Sequence, residues 1–354
     1  MSDEYLNLKS DEIAFPNLGL KFDADPTVFS IFGFDVQWYG LLITIGMVLA
    51  IFYCFSRMKK YGIDPDRAID AVIGGIIGGI VGARLYYVIL EWNQYKNNIA
   101  DIFNLRLGGL AIYGGIIGAL LVGGIVAKLR KVKLLPLLDL VGQGFLIGQC
   151  LGRWGNFFNQ EAFGCNTDSV FGMTGGRIQS WIASAYTSSQ CYNNLQVELS
   201  PDRPVHPCFL YESVWCLAGF IILAIAAKKF RKFDGQIFLM YIAWYGLGRS
   251  FIEGLRTDSL VIGSIRVSQA LAIVCFVTAV ILLIVFGLKV RRMGSDYVLY
   301  CNTEESKELL RQAEDARQKK NKKAEEKTDA FENNTNITEN HNDETAKNDN
   351  NEEE

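Results

Sequence analysis

Histidine is almost missing from this chain. Of 354 residues only His206 and His341 are histidines, which excludes the paired-histidine zinc chemistry of an H-E-x-x-H helix. The eight cysteines contain no C-x-x-C spacing, so thiolate zinc sites lack their ligands. Charge is scarce: 21% of residues are charged and 50% hydrophobic. Glycine stops at Gly294, and the residues from Cys301 onward carry a net charge of −7 while the remainder carries +4. The first 37 residues lack a basic stretch followed by an apolar core, so no cleavable signal peptide is expected and the first span serves as the insertion signal. Neither half of the chain repeats the other, which argues against a transporter built from two repeats.

What is present is long apolar runs. Seven can cross a bilayer at about 20 residues per span: 38–55, 68–90, 108–127, 134–151, 209–227, 236–255 and 267–288. The sixth is the weakest, because it contains Arg249 and Glu253. Basic residues cluster in alternate connections. Arg57, Lys59, Lys60 and Arg67 form one group; Lys128, Arg130, Lys131 and Lys133 another; then Lys228, Lys229, Arg231 and Lys232; then Lys289, Arg291 and Arg292. By the positive-inside rule these connections are cytoplasmic. The expected fold is an all-α polytopic membrane protein of seven transmembrane helices, N-terminus outside and C-terminus cytoplasmic. Residues 1–30 form an external segment, 31–292 the seven-span domain with an outer segment at 152–208, and 293–354 a polar, largely disordered cytoplasmic tail. A short helix is expected near 304–327 of the tail. Cys54, Cys150, Cys216 and Cys275 fall in spans as small packing residues. Cys165 and Cys191 share the outer segment, where a disulfide between them is one option.

Spans two and three carry small residues every fourth position, Gly74-x3-Gly78-x3-Gly82 and Gly114-x3-Gly118. Close helix approach accounts for them; shaping a lipid cavity is the alternative. Ionisable residues inside spans cost several kcal/mol unless paired or hydrated, so Arg84, Asp139, Glu212, Arg249 and Glu253 are candidate sites. Tyr245, Arg249, Glu253 and Arg256 share one face of a helix. An Arg249–Glu253 pair could serve burial alone. A second arginine in the same stripe suits an anionic headgroup, because guanidinium forks match phosphate oxygens. The densest polar cluster begins where span four ends, at Gly152-Arg153-Trp154-Gly155-Asn156-Phe157-Phe158-Asn159-Gln160-Glu161-Ala162-Phe163-Gly164. If helical, Arg153, Asn156 and Asn159 line one face; an interfacial loop with an aromatic anchor is the plainer reading.

That run resembles the signature of the prolipoprotein diacylglyceryl transferases of bacterial membranes. Other segments agree: Trp38-Tyr39-Gly40, Gly82-Ala83-Arg84-Leu85, the stretch from Gly108 to Gly115, His206-Pro207 with Leu210-Tyr211-Glu212, and Tyr245-Gly246 with Arg249, Glu253 and Arg256. The resemblance covers roughly residues 30–292. It departs at Tyr113, where the family often has His, and at Cys208-Phe209 after His-Pro.

The resemblance implies a multi-pass enzyme of the bacterial plasma membrane. It would transfer the diacylglyceryl group of phosphatidylglycerol to the lipobox cysteine of a preprolipoprotein, with no metal or cofactor and no nucleic acid. Its partners would be the lipid, the signal peptide and lipobox cysteine, and the bilayer. Arg153 and Arg249 would clamp the phosphate. Asn156 and Asn159 would orient hydroxyls. Glu161 and Glu253 would hold the arginines and relay the thiol proton. Tyr39, Arg84 and Tyr113 would line the pocket, with His206 at its rim; Tyr113 is counted with the catalytic groups, and Gly164 and Arg256 with those that bind substrate. Residues near 165–206 would cover the site. Two other classes also bury such charges: a channel or transporter, and a non-catalytic lipid-binding scaffold. The missing repeat and the clustering of polar residues near one membrane face disfavour the first.

Overall fold

The computed structural model describes residues 3–96, 98–104, 108–187, 199–257, 261–262, 265–319 and 321–322. It divides into two units, residues 1–300 and 301–354. The first unit is mostly helical. Its long helices are α1 (Trp38–Arg57), α2 (Pro65–Leu90), α4 (Ile112–Leu129), α5 (Leu134–Asn159), α7 (Cys208–Lys229), α8 (Gln236–Leu255) and α9 (Val267–Met293), with short α3 (Trp92–Tyr95) and α6 (Gly176–Thr187) between them. Six of the long helices are apolar and long enough to cross a membrane, which makes this a multi-pass membrane protein. The exception is α8. It forms where expected but falls short in apolarity, because Arg249 and Glu253 interrupt it.

Local chemistry sets several boundaries. Asp64 caps α2 by accepting from Asp66 N at 3.4 Å, and Pro65 opens the helix. The third span starts at Ile112 rather than near 108, because Gly108 and Gly109 both take positive φ, 74° and 79°. α5 runs on past 151 to Asn159, so the Arg153–Asn159 stretch is helical. Gln160 then terminates it in the left-handed region at φ 55°.

α2 packs on α4 through the predicted small-residue stripes. A Cβ added to Gly78 would lie 2.5 Å from Gly118 O, so the helices touch backbone to backbone. The close-packing reading of these glycines is the observed one. α1, α7 and α8 each pack on α5.

The all-α expectation misses a small β component. Strands β1 (Glu12–Phe15), β2 (Leu20–Asp23) and β5 (Thr174–Gly175) form a sheet in the order β2-β1-β5, and β3 (Thr27–Ile31) pairs with β4 (Phe34–Gln37) immediately before α1. Ile13 and Phe15 of β1 share a core with Phe157, Phe163, Met173, Ile178, Val205 and Phe209. The N-terminal segment is therefore part of a packed head built with residues 157–182 and 199–209.

Asp139 turns out to be architectural. Fully buried on α5, it accepts from Gly235 N (3.0 Å) and Phe238 N (2.9 Å), capping α8 from a neighbouring helix, and it pairs with Arg231 at 3.2 Å. In the second unit a helix covers 304–319, in agreement with the expected tail helix. The low-complexity end of the tail and Cys191, with its disulfide option, lie outside the described residues.

Candidate active site

The last two turns of α5, the first turns of α7 and the C-terminal half of α8 converge on one carboxylate. Glu212, on α7, is 4% exposed. Its Oε2 forms an ion pair with Arg153 Nε of α5. Its Oε1 accepts from Arg249 Nη1 of α8 at 2.7 Å and lies 3.7 Å from Arg256 Nη1 at the end of that helix. Arg249 Nη2 also pairs with Glu253 Oε2 at 2.5 Å, one turn along α8. The stripe expected on α8 is thus one face, and its Arg249–Glu253 pair is real. Three arginines meet two buried carboxylates, leaving one excess positive charge in a low-dielectric site where it acts strongly on an anion. Glu212 Oε2 and Glu253 Oε2 are within ion-pair distance of guanidiniums, but neither has a hydrogen bond of good direction among the described residues.

A second chain of contacts continues from Arg153. Its Nη1 donates to Asn156 Oδ1 at 3.3 Å; Asn156 Nδ2 donates to Glu161 Oε1 at 2.8 Å, and Asn159 Nδ2 to the same oxygen at 3.3 Å. The expectation that Glu161 holds an arginine is corrected: it fixes the two asparagine amides, and Glu212 holds the arginines. In the sequence Glu212 is only one of several candidate charges within the spans, with no role assigned. Its signal is available, since it is the sole charged residue in its span before the basic end.

Arg84 departs from the expected placement. Buried, it donates to the carbonyls of Asp101 (2.6 Å), Ile102 (2.8 Å), Asn104 (3.0 Å) and Gly109 (3.0 Å), and also to Gly108 O, so it organises the connection between α2 and α4. Tyr113 sits in the first turn of α4, 40% exposed. Gly164 carries no functional group into the site. Its backbone bridges that of Arg256, its N–H donates to His206 O at 2.9 Å, and a Cβ there would lie 2.7 Å from that of His206. The glycine thereby lets the signature segment, the His206 loop and the end of α8 meet. His206 pairs with Tyr211 OH through Nδ1 at 3.2 Å, and its partial burial pushes the imidazole pKa below its usual value, which favours the neutral ring. Gln160 stands in the signature run with no role assigned to it. Buried beside Glu161, it donates to Ser10 O (2.8 Å) and accepts from Arg177 N (2.9 Å), pinning the end of α5 to the N-terminal segment and to α6.

Beside the charges lies an apolar cavity of about 600 Å³. Tyr39, Arg153 and Asn156 line one end; Cys54, Met58 and Leu137 line the other. Gly144, Gly148 and Gly152 keep the α5 wall thin. Polar groups at one end of an otherwise apolar space match an amphiphile with a charged head.

Residues 26–285 match the family model described as prolipoprotein diacylglyceryl transferase. The chain belongs to that family. Among relatives, the phosphatidylglycerol--prolipoprotein diacylglyceryl transferase of Clostridium novyi (strain NT) is 40% identical over 265 residues, covering 75% of this chain and 97% of the relative. That of Finegoldia magna is 40% identical over 258 residues, covering 73% of this chain and 94% of the relative. That of Listeria monocytogenes serovar 1/2a is 39% identical over 266 residues, covering 75% and 91%. Every candidate site residue lies within the matched region of the transferase family. The whole β1–β2 hairpin and all of the second unit lie outside it.

Proposed function

We propose that this transferase moves the diacylglyceryl group of phosphatidylglycerol onto the lipobox cysteine of a preprolipoprotein, the first step of lipoprotein maturation. The thiolate sulfur attacks the glycerol carbon that bears the phosphate ester. A C–S bond forms, the C–O bond to phosphate breaks, and the electron pair leaves on glycerol phosphate. The thiol proton is released, balancing the charge gained by the leaving group. A free thiol with a pKa of about 8.5 already supplies a few per cent of thiolate near neutral pH. The larger demand is charge on the departing phosphate.

The observation that carries this reading is Glu212 seated between Arg153 and Arg249 at the polar end of an apolar cavity. Glu212 holds the two guanidiniums in place before substrate arrives, and a preorganised cation pair stabilises charge that develops in the transition state. Asn156 and Asn159, fixed by Glu161, present amides to the glycerol hydroxyls. Arg256 adds a third cation at the rim. Tyr39 lines the entrance, and His206 with Tyr211 borders the covering segment. Arg84 acts at one remove, by shaping the loop that leads to Tyr113.

The arrangement belongs in the bacterial plasma membrane with α8 as a seventh span, its charges shielded by α5 and α7. The basic connections face the cytoplasm and the site faces out, where a signal peptide presents its lipobox cysteine. Reporter fusions after Lys133 and after Arg292 should read cytoplasmic, and one after Asn98 external; an external reading after Arg292 overturns the seven-span topology. The function is tested with purified protein, phosphatidylglycerol and a lipobox peptide. Mass spectrometry should find a thioether-linked diacylglyceryl peptide, and an unmodified peptide after prolonged incubation refutes the reading.

A further inference from the structure

The apolar cavity is deeper than a lipid of the outer leaflet requires. Tyr39 and Met58 both line it, at opposite ends of α1 and its C-terminal turn, about 28 Å apart at 1.5 Å per helical residue. Asn156 and Leu137 bracket the same length of α5. One leaflet of hydrocarbon is about 15 Å thick. Measured from Arg153, that depth ends near Ala50 and Gly144; Cys54, Met58, Leu137 and Val141 wall about 9 Å more.

The cavity is also narrow. At about 600 Å³ it is far smaller than the about 2,200 Å³ that an α-helix of that length and roughly 10 Å across would fill. A peptide helix does not fit, whereas a single polymethylene chain does. The deep end is closed. Met58 is fully buried, and with Cys54 and Leu137 it belongs to a packed core that includes Tyr61, Ala127 and Leu140. On the α5 wall a Cβ at Gly144 would lie 3.0 Å from Cys54 Sγ, so this wall has no slack.

We propose that the deep half of this cavity selects the acyl-chain length of the lipid substrate. One acyl chain threads it from the Arg153 end, Val141 and Cys54 set its width, and Met58 is the stop. The other chain stays in the bilayer. The selection rests on the phosphatidylglycerol reading above, because Arg153 and Asn156 fix where the chain begins.

The test is a competition in one tube. Full-length protein receives a lipobox peptide and equal amounts of phosphatidylglycerol with two 12-carbon and two 18-carbon chains, and mass spectrometry gives the ratio of long-chain to short-chain product. Val141→Phe narrows the deep half and should lower that ratio about tenfold, the size of one overpacking clash. Ile43→Phe, near the polar end, should slow both products and leave the ratio unchanged. Met58→Ala removes the stop and should raise the ratio when the long lipid carries 22-carbon chains. Wild-type ratios in folded Val141→Phe and in Met58→Ala would overturn the proposal. If the wild-type protein transfers neither lipid, the transferase reading is what fails. The gauge is then read from lipid retained after purification, where Val141→Phe should hold shorter chains than wild type, and identical retained chain lengths refute it.

Discussion

Glu212 shows how a charge that is expensive to bury becomes useful. Alone in an apolar helix it would be neutralised or unpaired at a cost of several kcal/mol. Paired with Arg153 and Arg249 it fixes two planar cations, the pair assigned to the phosphate in the proposed mechanism. Lysine keeps the charge but loses the fork. Arg153→Lys and Arg249→Lys should each lower turnover by about a hundredfold, the loss of one electrostatic contact to the transition state, with membrane levels of protein unchanged. A near-normal rate in either variant would reduce that arginine to an ion-pair partner. Tyr113 is a contrast. It is 40% exposed, so its hydroxyl has partners other than a substrate to turn to. Tyr113→Phe should therefore raise the barrier by only about 0.5–3 kcal/mol, one hydrogen bond's worth, and Tyr113→His should stay active. Turnover of both variants from pH 6 to 9 with a lipobox peptide decides; a dead but folded Tyr113→Phe would make the hydroxyl an essential acid–base group.

At the scale of elements, α2 and α4 behave as one unit welded by glycine. A Cβ on Gly82 would fall 2.9 Å from Gly118 Cα, whereas Gly124 has nothing within 4 Å. Backbone cannot rotate aside as a side chain can, so Gly82→Ala should destabilise by about 1–3 kcal/mol. Gly124→Ala should be neutral. Thermal melting in detergent separates them, and equal melting temperatures would mean the helices are looser than this packing. The end of α5 is held differently. Gln160 spends both halves of its amide on Ser10 and Arg177, and the carboxylate that fixes Asn156 and Asn159 is the next residue. A segment outside the matched family region thus buttresses residues inside it.

For the whole molecule, the division at residue 300 separates a unit that contains every proposed site residue from one that contains none. Tyr300 closes the first unit: its N–H donates to Asp234 Oδ2 at 2.9 Å, and Lys133 lies over its ring. Stopping the chain after Tyr300 keeps these contacts, and specific activity should remain within a few-fold of the intact protein. Near-total loss in a normally inserted truncation would give the second unit a role in catalysis.

The sequence by itself determined where the long helices fall, six of them apolar enough to cross a membrane, because hydrocarbon tolerates only apolar helix over about 20 residues and that demand is local. It determined the family, through ordered motifs, and the shared face of Arg249, Glu253 and Arg256, which helical periodicity alone dictates. It pointed to helical geometry at Arg153, Asn156 and Asn159 without deciding it. Contacts between helices were beyond its reach. That Glu212 serves Arg153 and Arg249 at once depends on how α5, α7 and α8 cross. The buried charges of Arg84 and Asp139 look in sequence like those of the site, yet one ties down loop carbonyls and the other caps a neighbouring helix. A buried charge announces only that it needs a partner; which partner it finds, and whether any of its capacity is left for a substrate, is settled by tertiary packing, because the groups that satisfy it come from elsewhere in the chain.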